Sequence, residues 1–63
     1  SRRIPKVFSF VGIPGLSREI IEKMERVEPS TLGQAGRIPG VTPAAISILN
    51  LYLDMPAAAR SNA

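Results

Sequence analysis

Hydrophobic residues recur at intervals of three and four in two stretches of this 63-residue chain. This spacing predicts two amphipathic helices, each with one apolar stripe. The stripes comprise Leu16, Ile20, Ile21, Met24 and Val27 in the first helix, and Ala45, Ile46, Leu49, Tyr52 and Leu53 in the last. Pro29 is expected to stop the first helix at residues 27–28, and Pro56 marks the end of the last helix.

Hydroxyl residues mark the predicted beginning of each helix. Ser17 and Thr42 are placed as N-caps, whose side-chain oxygens accept hydrogen bonds from amides of the first turn. Between them, Thr31 and Gln34 have the spacing of a capping box and predict a short second helix. Gly40 is expected to end that helix, because glycine adopts the left-handed conformation at little cost.

The same corner occurs twice along the chain. "GIPGLSREII" begins at Gly12 and "RIPGVTPAAI" begins at Arg37, and both contain Ile-Pro-Gly followed by an aliphatic and a hydroxyl residue. We interpret the corner as a helix junction, in which the aliphatic residue fills the core and the hydroxyl residue starts the next helix. An internal duplication and convergence on good capping chemistry both explain the repeat.

The first eleven residues contain both phenylalanines of the chain. Phe8 and Phe10 alternate with Ser9, which predicts an extended arm or linker, and both rings are expected to fill the core. The predicted fold is therefore all-α, a small three-helix bundle with helix-turn-helix-like corners preceded by a short extended arm. We place the arm at residues 1–11, the helical module at 12–55 and a flexible tail at 56–63.

The composition limits the chemistry that the chain itself can perform. Cys and His are both absent, which excludes disulfides, thiolate and imidazole catalysis and any ordinary zinc site. Glu19–Lys23 and Glu22–Arg26 have the i,i+4 spacing of surface ion pairs, so these residues indicate a solvated face and not a catalytic carboxylate pair. No apolar run reaches the about 18 residues of a membrane span. We assign no catalytic, cofactor-binding or metal site to this chain.

The diffuse positive charge admits a role in binding nucleic acid. The net charge is +3 and the pI is about 10.2, and Arg18 and Arg37 lie beside the two corners. In a helix-hairpin-helix interpretation, the free helix N-termini and these arginines contact phosphate, although the caps also satisfy their own helices. In a helix-turn-helix interpretation, the last helix enters the major groove. Sequence-specific recognition of DNA bases by this helix is disfavoured, because no positive side chain occurs in residues 41–55.

The last helix is hydrophobic around much of its circumference. Its apolar residues are Ile46, Ile48, Leu49, Leu51, Tyr52 and Leu53. A helix of this kind requires burial on more than one side, and a three-helix core covers only one stripe. We therefore expect an interaction module in which Leu49 and Leu53 face another domain, a second copy or a partner protein.

Residues 12–53 resemble the C-terminal end of the glucose-inhibited division protein A family, also called MnmG. That family typically shows Leu-Gly-Gln-Ala-Ser-Arg-Ile-x-Gly-Val-Thr-Pro-Ala-Ala-Ile, which residues 32–46 follow almost throughout, with Gly36 in place of the common Ser. The chain departs from the family in Val7-Phe8-Ser9-Phe10, where an acidic segment is common, and in lacking basic residues at the end of the last helix.

The resemblance implies a cytoplasmic, homodimeric parent enzyme that uses FAD and NADH. Together with a partner GTPase, MnmE, such an enzyme installs a carboxymethylaminomethyl group on the wobble uridine of certain tRNAs. The FAD-binding fold is expected upstream, since this chain contains no Gly-x-Gly-x-x-Gly motif. The residues expected to contact tRNA or the GTPase are Arg18, Arg37, Gly40, Thr42, Leu49 and Leu53. A free-standing helix-turn-helix nucleic-acid-binding domain is the alternative function.

Overall fold

The structure is a computed structural model, and it describes residues 2–55 of the chain. These residues contain three α-helices. Helix α1 spans Arg18–Val27, α2 spans Leu32–Gly36 and α3 spans Pro43–Leu53. Within residues 2–55 the β-type pairing is a single bridge between Arg3 and Thr31, so the predicted all-α fold is confirmed. The predicted tail at residues 56–63, including Pro56, lies outside the described residues.

Helix α1 has the ends that its sequence predicts. The Oγ of Ser17 accepts a hydrogen bond from the amide of Ile20 at 3.2 Å, which satisfies one of the donors of the first turn. At the other end Glu28 adopts a left-handed conformation, with φ of 53°, and its amide donates to the carbonyl of Met24 at 2.9 Å. Pro29 follows, and the helix stops where the proline was expected to stop it.

Helix α2 is shorter than its sequence suggests. Thr31 caps it through a 3.1 Å hydrogen bond from the amide of Gln34, and the Gln34 Oε1 accepts from the amide of Ser30 at 2.7 Å. The reciprocal bond of this capping box therefore falls one residue before the cap. The helix ends at Gly36, and the expectation that Gly40 ends it was wrong. Gly40 instead belongs to the turn that leads into α3.

The N-terminal arm packs against the helices. The amide of Ile4 donates to the carbonyl of Ser30, and the amide of Leu32 donates to the carbonyl of Arg2, both at 2.8 Å. Phe8 and Phe10 are buried, as expected, with their ring centroids 5.3 Å apart in an edge-to-face arrangement. The core of the described part comprises Ile4, Phe8, Phe10, Ile13, Leu16, Ile20, Met24, Ala35, Ala45 and Leu49.

Arg2 joins the beginning of the arm to the end of α3. Its guanidinium lies 2.6 Å from the carboxylate of Asp54 and donates to the Oδ1 of Asn50 at 3.1 Å. The hydrogen bond and the charge of Arg2 lower the pKa of Asp54, and the hydrogen bond to Asp54 in turn raises the pKa of Arg2. None of the helices within residues 2–55 is long and apolar enough to cross a bilayer.

Candidate functional site

The two repeated corners have the same backbone conformation. In each, the residue before the proline accepts a hydrogen bond from the amide of the aliphatic residue, at 3.4 Å in the first corner (residues 13–17) and 3.1 Å in the second corner (residues 38–42). The central glycines, Gly15 and Gly40, have φ values of 90° and 94°. Proline followed by a glycine of positive φ is the pattern of a type II turn. Each corner is therefore a type II turn followed directly by an N-cap.

The hydroxyl groups of both corners are engaged with their own helices. The Oγ of Ser17 accepts from the amide of Ile20 at 3.2 Å, and the Oγ1 of Thr42 accepts from the amide of Ala45 at 3.1 Å. Each hydroxyl keeps its hydrogen, which is free to be donated to an oxygen outside the helix. Thr42 is exposed, so a phosphate or a carboxylate of a partner could accept that hydrogen.

Each corner also packs against the helix that the other corner begins. A Cβ at Gly15 would lie 2.6 Å from the Cδ1 of Ile48 in α3, and a Cβ at Gly40 would lie 2.6 Å from the Nζ of Lys23 in α1. The same Lys23 Nζ donates to the carbonyl of Pro39 at 2.6 Å. The two glycines thus permit close contacts within the chain, and the second corner is held against α1 by Lys23.

One arginine lies beside each of the two corners. Arg18 is the first residue of α1, and Arg37 caps the end of α2 just before the second corner. Both side chains are exposed, and neither makes an ion pair or a side-chain hydrogen bond within residues 2–55. The Oε2 of Glu19, the neighbour of Arg18, pairs with Lys23 at 3.4 Å and lies 4.0 Å from the Cβ position of Gly40. Arg18 thus follows the first corner directly, and Arg37 directly precedes the second corner.

The two leucines of the predicted contact set have different environments. Leu49 is completely buried in the core, so it has no surface to offer a partner, and the expectation that it faces outward was wrong. Leu53 is half-buried at the end of α3. Because α3 has 11 residues, Leu53 lies about 16 Å along the helix axis from Thr42, and it does not belong to the cluster around the second corner.

Sequence reasoning missed two residues of the candidate surface. Leu51, in the last turn of α3, exposes 61% of its surface, while Ile48 and Tyr52 are half-buried beside the core. Leu51 lies two residues beyond Leu49 and hence on the opposite side of the helix, so its outward position follows once Leu49 is known to be buried. Lys23 was assigned only to its pair with Glu19; its bond to Pro39 depends on tertiary packing, which spacing along one helix does not predict.

The described residues do not fit a flavin or a metal ion. A dinucleotide site needs a strand, a glycine-rich turn and a helix N-terminus open to pyrophosphate. Here the space that Gly15 and Gly40 leave free is occupied by side chains of the chain itself. No group of three or more His, Cys, Asp or Glu side chains lies close enough within residues 2–55 to hold a metal ion.

The comparisons with known proteins agree on one family. The C-terminal helical bundle of the tRNA modifying enzyme MnmG/GidA matches residues 1–63. Two relatives are named tRNA uridine 5-carboxymethylaminomethyl modification enzyme MnmG. The protein from Geotalea uraniireducens (strain Rf4) is 57% identical over 53 residues, which are 84% of this chain and 8% of that protein. The protein from Thermodesulfovibrio yellowstonii is 70% identical over 46 residues, which are 73% of this chain and 7% of that protein.

A solved structure has the same fold. The form II crystal structure of Aquifex aeolicus GidA superposes with a TM-score of 0.79 and is 46% identical in sequence. The superposition covers 86% of this chain and 9% of that one, so the chain spans only a small part of the length of its relatives.

Proposed function

This chain belongs to the MnmG/GidA family and matches its C-terminal helical bundle, and from this premise we propose that it is an interaction module that docks tRNA, a partner GTPase (MnmE) or both. The proposed parent is a homodimeric, cytoplasmic enzyme that modifies the wobble uridine of tRNA. When bound elsewhere in that enzyme, FAD and NADH supply its redox chemistry. The residues of this chain contribute binding and orientation to that reaction.

The observation that carries the tRNA contact is a pair of unengaged arginines, one beside each corner. Arg18 and Arg37 are exposed and without side-chain partners within residues 2–55, whereas Arg2 and Lys23 are held by Asp54 and Pro39. A guanidinium with five donors matches the oxygens of a phosphate group and is available here at no cost in broken contacts. The hydroxyl hydrogen of Thr42 adds a donor at the second corner.

The remaining members of the proposed contact set limit the kind of recognition. Gly40 has no side chain and can offer only its backbone, and the exposed side of α3 offers no positive side chain to a base edge. Contacts of this kind fix the position of a phosphate backbone and carry little sequence information. This favours recognition of a folded RNA by its shape over a helix-turn-helix reader of duplex DNA.

The apolar end of α3 supports a contact with protein. Leu53 is half-buried and Leu51 is exposed, with Tyr52 between them. Apolar and aromatic side chains of this kind form the centres of protein interfaces. We propose that Leu53 contributes to docking the GTPase, and that Leu49 supports this surface from inside the core.

Charge reversal with a matched control tests the tRNA contact. The variant R18E/R37E is compared with R3E/R26E, which changes the net charge equally at two other exposed and unpaired arginines. We expect only R18E/R37E to weaken binding of an unmodified tRNA transcript, with the slope of log K against log salt reduced by about 0.7–0.9 for each lost phosphate contact. The measurement is fluorescence anisotropy at several salt concentrations.

Three results would contradict the tRNA contact. Equal weakening by the two double variants would mean that net charge alone attracts the RNA. Unchanged binding by R18E/R37E would remove both arginines from the contact. Equal or tighter binding of duplex DNA would favour the helix-turn-helix alternative. For the GTPase, L53S at the half-buried Leu53 is compared with V11S at an exposed apolar site in a pull-down with purified MnmE; equal recovery by both would exclude Leu53.

A further inference from the structure

A groove opens between the N-terminal arm and the C-terminal half of α1, away from the two corners. Its volume is about 410 Å³, and its lining includes the exposed Val7 and the largely buried Ile4, Phe8 and Phe10. The lining also includes Lys6 of the arm and the carboxylates of Glu25 and Glu28. The groove therefore brings apolar side chains together with two carboxylates.

Val7 is unusually exposed at the edge of this groove. It exposes 90% of its surface in a turn that is closed by a 3.0 Å hydrogen bond from the amide of Phe8 to the carbonyl of Pro5. Central positions of turns favour Gly, Asn, Asp or Pro, because these residues suit the backbone or bond to it. A β-branched aliphatic side chain contributes neither, and here it contributes little to the core. Its place beside the groove indicates a contact with another molecule.

The carboxylates of this groove are available for a partner. The chain has five acidic residues, of which Glu19 pairs with Lys23 and Asp54 pairs with Arg2. The other three are Glu22 and Glu25 of α1 and Glu28, which caps the C-terminal end of that helix, and they make no ion pair within residues 2–55. Two of them line the groove. They lie toward the C-terminal end of α1, where the helix dipole is also negative.

We propose that this groove binds a segment of a partner protein in which an aliphatic side chain lies next to a lysine or arginine. The aliphatic group packs against the exposed side chain of Val7, and the basic group pairs with Glu25 and Glu28. A phosphate backbone or an anionic membrane is disfavoured, because both carboxylates would repel it. The proposal is independent of the tRNA contact, which involves other residues of opposite charge.

A peptide selection with matched variants tests the proposal. The 63-residue chain is panned against a library of random dodecapeptides on phage, and enriched peptides are labelled and titrated by fluorescence anisotropy. We expect enriched sequences to contain an aliphatic residue adjacent to Lys or Arg. V7S and E25Q/E28Q should each weaken peptide binding about tenfold, which corresponds to a loss of about 1.4 kcal/mol of binding free energy. The controls V11S and E22Q, at an exposed valine and an unpaired glutamate outside the groove, should change it less than twofold.

The same experiment contains the results that would overturn the proposal. Enrichment of acidic peptides, or no enrichment, would exclude the occupant described here. Binding that V7S and E25Q/E28Q leave intact would place the contact elsewhere. Self-association of the chain in sedimentation velocity that V7S abolishes would make a second copy the occupant. Because R18E/R37E should leave peptide binding intact, failure of the tRNA contact and failure of this proposal are distinguishable.

Discussion

At the scale of single residues, Gly15 and Gly40 have a role that other residue types cannot fill. Both have φ near 90°, and a Cβ on either would lie 2.6 Å from a side-chain atom of a neighbouring helix. Side chains are disfavoured at such φ values because the Cβ approaches the backbone carbonyl. The repeated Ile-Pro-Gly corner therefore requires glycine for its backbone and for its packing.

We expect G15A and G40A each to destabilise the chain by at least about 1 kcal/mol. The control is G36A, because Gly36 is helical and its Cβ would meet Ile46 only at an ordinary contact distance of 3.8 Å. That substitution should be neutral or stabilise by about 0.4–1 kcal/mol through the unfolded state. Urea unfolding of the three variants provides the measurement. Equal stabilities for G36A and G40A would contradict the requirement for glycine.

Residue identities were more predictable at caps than at contacts. Ser17, Thr31 and Thr42 were identified as caps because a cap bonds to an amide three residues away, which the sequence itself specifies. The direction of Leu49 was not predictable, because apolar residues on several sides of α3 leave the buried side undetermined. For the same reason the outward position of Leu51 became apparent only in the structure.

At the scale of elements, the arm connects the beginning of α2 to the end of α3. Its backbone pairs with residues 30–32, and the guanidinium of Arg2 pairs with Asp54. Helix bounds could be predicted for α1 and α3, because their caps and apolar periods agree. The contacts of the arm could not be predicted, because a bond such as that from Arg2 to Asn50, 48 positions apart, leaves no local pattern in the sequence. The candidate site also depends on such contacts, since Lys23 brings α1 to the second corner.

We expect R2A to raise the pKa of Asp54 toward its ordinary value, because the guanidinium favours the charged carboxylate. Because the pKa of Asp54 is lower in the folded state than in the unfolded state, its ion pair stabilises the fold at pH values above the ordinary aspartate pKa of about 3.9. This stabilisation is lost as the pH falls through the lower pKa of the folded state. The stability difference between the unmodified chain and R2A should therefore narrow in acid. An NMR titration of the Asp54 carboxyl gives the pKa, and R3A, beside it without an ion pair, is the control. A pKa of Asp54 that is the same in R2A and in R3A would contradict the role of Arg2.

At the scale of the whole molecule, the arm is part of the core. Ile4, Phe8 and Phe10 are three of the ten core residues of the described part, and they belong to the same cluster as Met24 of α1 and Leu49 of α3. A chain of this length buries only about 60% of the surface that its unfolded form exposes. Few of its apolar contacts are therefore dispensable.

Removal of residues 1–11 should consequently unfold the helices. Burial of each large apolar side chain contributes about 1.5–3 kcal/mol, so the three arm residues contribute about as much as the whole stability of a domain of this size, at about 0.05–0.15 kcal/mol per residue. We expect the far-UV circular dichroism of the shortened chain to lose its helical signal and its cooperative thermal transition. F8A should give an intermediate loss of about 3–5 kcal/mol, and V11A, at an exposed position, should melt like the full chain. A shortened chain that keeps a cooperative transition would show that residues 1–11 are a linker, and that the helices close their core without them.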